Sequence, residues 1–137
     1  MIKEFVILGG GSAYTPGLLQ ALIHQGNSLG LARVRLFDTD AEHLELVGRL
    51  GQAMARSAGV NSTVETADTL DAAVRGADAV PNSTRPGGFC ARRLAATLPL
   101  CLAIPGHETV GPGGFLLALR SVPQALHVAW QSRDGPK

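Results

Sequence analysis

The 137-residue sequence predicts an α/β fold, a doubly wound parallel sheet with helices on its faces. Three observations carry that expectation. An apolar run stops abruptly at three glycines and is followed at once by a helix start. Short β-branched segments then alternate with segments of helical period, the pattern of right-handed βαβ units. A carboxylate, Asp38, closes the second of those short segments.

Residues 2–8 read as a buried strand ending at Gly9, Gly10 and Gly11. A helix starts at Thr15 and Pro16, a hydroxyl cap followed by a proline whose missing N–H costs nothing there. Leu18, Leu19, Leu22 and Ile23 make its inner face, and Gly26 is its predicted stop. Residues 34–38 form the second strand. Asp40 caps the next helix, with Leu44, Val47, Met54 and Ala58 on one stripe. Residues 62–66 are a third strand, Asp68 caps a short helix, and residues 77–82 are a fourth strand in which Pro81 removes a ladder donor.

A loop-rich stretch is expected up to Gly114. The helix after it carries Phe115, Leu119, Val122, Leu126 and Trp130 on one face, and Pro123 should kink or divide it. Residues 131–137 read as a disordered tail. The sheet is therefore expected to be incomplete on its C-terminal side. An unpaired edge and a bare apolar helix face would favour self-association or a homo-oligomer.

Twelve basic residues against eleven acidic ones, a net charge of +1, give no case for nucleic acid or an anionic membrane. No apolar run approaches the roughly 18 residues a spanning helix needs, and the N-terminus lacks the pattern of a signal peptide. The expectation is a soluble, cytoplasmic protein. Cys90 and Cys101 have the spacing of neither a disulfide framework nor a metal knuckle, and read as reduced, partly buried small hydrophobes.

The turn GGGSAYTP, between a strand and a helix, places Gly9 and Gly11 at the first two positions of G-x-G-x-x-G, with Tyr14 where the third glycine is usual. Small residues let the backbone approach a pyrophosphate, whose charge the helix N-terminus then meets. Asp38 stands where a carboxylate accepts hydrogen bonds from the adenosine ribose and repels a 2′-phosphate, which favours NAD over NADP. The alternatives are a tight connection for the glycines and a solvated strand end for Asp38. Together the two features predict a Rossmann-like dinucleotide site.

The series GGGSAYTPGLLQALI, VRLFDTD, RGADAV, RPGGFCAR and GHETVGPGGFLLALRSVP resembles glycoside hydrolase family 4 over nearly all of residues 2–130. The GGGS-x-YTP loop is most similar to the family's 6-phospho-β-glucosidases. The resemblance implies an N-terminal NAD-binding domain over residues 1–130, the family's catalytic C-terminal portion being absent. The chemistry it implies is oxidation of the sugar at C3 by NAD, loss of the C2 proton, departure of the C1 oxygen, addition of water and return of the hydride. A divalent metal, usually manganese, assists in the complete enzyme.

Residue by residue, the resemblance assigns NAD binding to Gly9, Gly10, Gly11, Ser12 and Asp38. It assigns substrate binding to Arg85 and Arg92, and to Glu108 the modulation of the catalytic base. The implied substrate is a phosphorylated glycoside. No cysteine or histidine of this chain matches the family's metal ligands. Ala95 and Ala96 replace a usual Asp-Glu pair, and residues 101–103 replace a usual lysine-tyrosine-glycine segment. The chain alone is expected to be inactive. Two other readings stay open: a non-catalytic NAD- or partner-binding remnant, and a relative of NAD-dependent 2-hydroxy-acid dehydrogenases.

Overall fold

The computed structural model describes residues 2–133. Their elements are β1 (Glu4–Leu8), α1 (Thr15–Leu29), β2 (Arg33–Phe37), α2 (Ala41–Ala58), β3 (Thr63–Thr66), α3 (Leu70–Val74), α4 (Gly88–Thr97), a 3-10 turn (Leu98–Leu102) and α5 (Gly111–Arg133). The chain divides into two compact units, one built on the sheet and reaching Thr84, the other Arg85–Trp130.

All strand pairing is parallel. Glu4 to Leu8 face Arg33 to Phe37, and Arg33 to Leu36 face Thr63 to Thr66. The predicted fourth strand is instead an extended segment on the far side of β1, joined by bridges at Phe5 with Ala79 and Leu8 with Asn82. Val6 N–H donates to Ala79 O at 2.9 Å and Leu8 N–H to Pro81 O at 3.1 Å. The return bond of that ladder would come from the N–H of residue 81 to Val6 O, and proline has none. Pro81 is thus the physical reason the ladder is broken. Asp78 ties down the segment's start by accepting from the N–H groups of Glu4 and Lys3, which hold its carboxyl below the usual range.

Burial follows from this order. β1 lies between neighbours, so Val6, Ile7 and Leu8 are all buried although they point to alternating faces. Ile7, Val34, Leu36 and Val64 meet Leu19, Leu22 and Ile23 of α1 and Leu44, Val47 and Ala55 of α2 in one core. Leu18, predicted on the inner face, is 38% exposed, and Ala58 is exposed where Ala55 is buried.

Helix ends differ from expectation for identifiable reasons. α1 runs through Gly26 and stops at Gly30, which has φ 71° and donates its N–H to Gly26 O. Gly26 serves packing: a Cβ there would lie 3.3 Å from Ser62 Oγ. Thr15 does not cap α1. It is buried, with its hydroxyl 3.5 Å from Gly9 O. Asp40 caps α2 as predicted, accepting from His43 N–H. The cap of α3 is Thr69, accepting from Ala72 N–H, and not Asp68. Thr69→Ala is therefore expected to cost about 1 kcal/mol in urea unfolding and Asp68→Ala less than about 0.5 kcal/mol. The reverse order would return the cap to Asp68.

Within the predicted loop, α4 and the 3-10 turn are regular structure. Helix α5 passes through Pro123 as one element, so the proline does not divide it. Its predicted stripe, Phe115, Leu119, Val122, Leu126 and Trp130, is exposed. Of the predicted tail, residues 131–133 belong to α5, and residues 134–137 lie outside those described. Cys90 and Cys101 are free thiols and exposed, not partly buried. Among the described residues no helix is long and apolar enough to cross a membrane.

Candidate functional site

Sheet order reverses between β1 and the extended segment, because the chain moves outward from β1 to β2 and β3 and then returns to β1's other side. In open α/β sheets, ligands enter at the carboxyl ends of the strands at such a reversal. Gly9, Gly10, Gly11 and Ser12 occupy that place. Gly9 has φ 83°, and a Cβ on it would lie 2.8 Å from Ser83 Oγ and 3.0 Å from Ser83 C. Ser83 fastens the crossing with two donors, its N–H at 2.9 Å and its hydroxyl at 2.8 Å, both to Leu8 O. Ser83 was not legible as a site residue, since nothing in its neighbours marks the crossing.

The N–H groups of the glycine turn are taken mostly by the end of β2 and the residue after it. The N–H groups of Gly9 and Gly10 both donate to Phe37 O at 2.9 Å, and Ser12 N–H donates to Gly9 O at 3.1 Å. Gly11 N–H donates to Asp38 Oδ2 at 2.9 Å, while Asp38 Oδ1 accepts from Asp40 N–H at 3.1 Å. Asp38 therefore clamps the turn to the start of α2. A carboxylate accepts about four hydrogen bonds, so two acceptor positions remain for a ligand.

Helix α1 begins without a side-chain cap and without an acidic residue in its first turn. Helix α2, by contrast, has Asp40 as cap and Glu42 in its first turn. The partial positive charge of α1 is thus not offset by any side chain of its own first turn, although Thr15 N–H is taken by Ser12 O at 3.0 Å and Pro16 has no N–H. Among the described residues, Ala13 N–H has no protein partner. These residues would suit a dinucleotide: Ala13 N–H at the N-terminus of α1 is open to an anion, and Asp38 has acceptor positions to spare.

Asp40 also binds the ring of His43, with Nδ1 to Oδ2 at 2.8 Å. The His43 N–H and then its ring hold the Asp40 carboxyl below the usual range, and the Asp40 carboxylate raises His43.

The second predicted cluster lies within Arg85–Trp130. Gly87, at φ 82°, turns the chain into α4, which carries Arg92. Glu108 lies in the loop before α5 and is 27% exposed. Its Oε1 takes Arg85 Nη1, and its Oε2 takes Arg92 Nε at 3.2 Å. Arg85 gives Glu108 one of its five N–H donors, whereas Arg92 meets it as an ion pair, so most guanidinium donors of both arginines are not used by Glu108. The three predicted residues thus form one cluster. Partly exposed pairs stabilise by at most about 1 kcal/mol each, so their effect is orientation more than stability.

The loop beside them packs backbone on backbone. A Cβ on Gly106 would overlap Ala96 O, and one on Gly113 would overlap His107 O. Ala95, where the family usually has an acid, is buried. The absence of a Cβ at Gly106 and Gly113 is what permits this close approach to the backbone of Ala95, Ala96 and His107. No group of three or more His, Cys, Asp or Glu side chains converges on a metal-sized site among the described residues.

A glycine turn at a sheet reversal, an uncapped helix behind it and a carboxylate just after β2 define a Rossmann-like fold of the kind dinucleotide-binding proteins use. Residues 4–134 match the family described as family 4 glycosyl hydrolase. This chain belongs to that family. A probable 6-phospho-beta-glucosidase of Bacillus subtilis is 34% identical over 128 residues, covering 92% of this chain and 29% of the relative. A 6-phospho-alpha-glucosidase of Lacticaseibacillus paracasei is 30% identical over 121 residues, covering 88% and 27%. The solved 6-phospho-beta glucosidase of Thermotoga maritima, with manganese, NAD+ and glucose-6-phosphate, superposes with a TM-score of 0.88 at 31% identity, covering 96% of this chain and 32% of that one. The chain thus spans less than a third of the length of these relatives.

Proposed function

We propose that these residues are the NAD-binding part of a cytoplasmic glycosidase acting on 6-phospho-β-glucosides, and that they do not catalyse the reaction alone. The observation that carries the reading is the uncapped N-terminus of α1 behind a glycine turn clamped by Asp38, in a chain of this family. Bound NAD supplies a hydride acceptor. The chain's own residues hold it: Gly9, Gly10, Gly11 and Ser12 shape the cradle, Ala13 and the first turn of α1 meet the pyrophosphate, and Asp38 accepts from the ribose.

Arg85 and Arg92 hold the sugar or phosphate oxygens, and Glu108 orients both guanidinium groups. The family's role for Glu108, raising the basicity of a catalytic base, belongs to the complete enzyme, as does manganese. The β anomer is supported by the GGGSAYTP loop and by the 34% identical relative. The family match favours this reading over a hydroxy-acid dehydrogenase. Self-association, through the sheet edge or the exposed face of α5, is part of the same proposal.

The arginine cluster is tested by nuclear magnetic resonance of the guanidinium groups. Glucose 6-phosphate added to the chain is expected to shift the Arg85 and Arg92 side-chain signals, and Arg92→Ala to weaken that binding about tenfold. Unmoved signals at saturating sugar phosphate would remove the cluster from substrate binding.

A further inference from the structure

We propose that His43 is a cofactor-specificity residue: its protonated ring, beside Asp38 at the ribose end of the glycine turn, offsets the repulsion of a 2′-phosphate, so that NADP is excluded less strongly as pH falls. This rests on the reading of the turn as an NAD site.

The geometry places His43 at that end. A Cβ on Gly11 would lie 3.1 Å from Asp38 Oδ2 and 3.1 Å from His43 Cβ, so the two side chains flank the same glycine from β2's end and from α2. Backbone and ring are both fixed by Asp40: His43 N–H donates to Oδ1 at 3.1 Å and Nδ1 lies 2.8 Å from Oδ2. With Nδ1–H turned to a carboxylate, Nε2 is the atom that gains or loses the proton. The side chain is 64% exposed, so a ligand can reach it.

The charged groups acting on the ring are the carboxylates of Asp40, Glu42 and Asp38. With His43 neutral, a 2′-phosphate at Asp38 meets uncompensated negative charge. With His43 charged, it meets a cation and a new N–H donor at Nε2. The hydrogen bond to Asp40 and then the surrounding carboxylates raise His43 above its ordinary value. Its charge is therefore complete in mild acid and lost as pH rises through that elevated value, which gives the direction of the effect.

The 2′-phosphate itself takes up a proton near about pH 6, so the wild-type pH dependence alone does not isolate His43. NAD and NADP are titrated calorimetrically into the whole chain at about pH 5.5 and about pH 8.5, in wild type and His43→Gln. The NADP-to-NAD affinity ratio is expected to rise on acidification about two- to fivefold more in wild type than in the variant. Equal rises in both proteins, with NAD binding intact, would overturn the inference alone. A folded wild type that binds neither dinucleotide at either pH would overturn the underlying NAD reading, and the inference with it.

Discussion

Gly9→Val is expected to lower stability by about 2–4 kcal/mol and to abolish NAD binding in whatever fraction still folds. Two costs add. A β-branched residue is strained at φ 83°, and its Cβ would press into Ser83 at 2.8–3.1 Å, against backbone atoms as well as the hydroxyl. The crossing held by the two Ser83 donors to Leu8 O is where the sheet reverses, so the collision opens the crevice itself. Urea unfolding measures the first effect and calorimetry the second. Wild-type stability in the variant would mean that the turn does not sit against Ser83 as described.

Asp38→Ala is expected to weaken NAD about ten- to hundredfold, the range for losing hydrogen bonds to a charged acceptor. It should weaken NADP far less, because the same substitution removes the repulsion of the 2′-phosphate. Part of the loss is indirect. Without Asp38 Oδ2 the Gly11 N–H has no fixed partner, and without Oδ1 neither has Asp40 N–H. A ribose-only role would leave the melting temperature unchanged, whereas the clamp predicts that it falls by a few degrees. Unchanged NAD affinity would remove Asp38 from the cofactor site.

The first half of the chain was legible because its signals are local. The apolar run of β1, the glycine turn, the Asp40 cap and the carboxylate ending β2 all follow from nearest neighbours. Thr69 competes with Asp68, and two adjacent cap-forming residues cannot be ranked by type alone. Gly26 misled because a glycine that permits close packing against Ser62 looks like a glycine that ends a helix. Helix α4 escaped notice because its buried side is a single alanine, Ala95, while Phe89 and Leu94 are exposed, so it has no apolar period to read.

The site divides in the same way. Gly9, Gly11 and Asp38 carry a spacing that has a mechanism, and their clamp is what that spacing builds. Arg85, Arg92 and Glu108 are separated by a helix and a close-packed loop that periodicity did not reveal. Only the family resemblance joined them, and the structure brings them onto one carboxylate. His43 carried a signal that can be read in hindsight: a histidine three residues after a capping aspartate returns to that cap.

Titration of NAD into the purified chain, followed by calorimetry near neutral pH, bears most directly on the central claim. Saturable binding with one NAD per chain is the expected result. Absence of binding by a chain whose circular dichroism shows it folded would contradict it, leaving the glycine turn a tight connection and the uncapped helix without its anion.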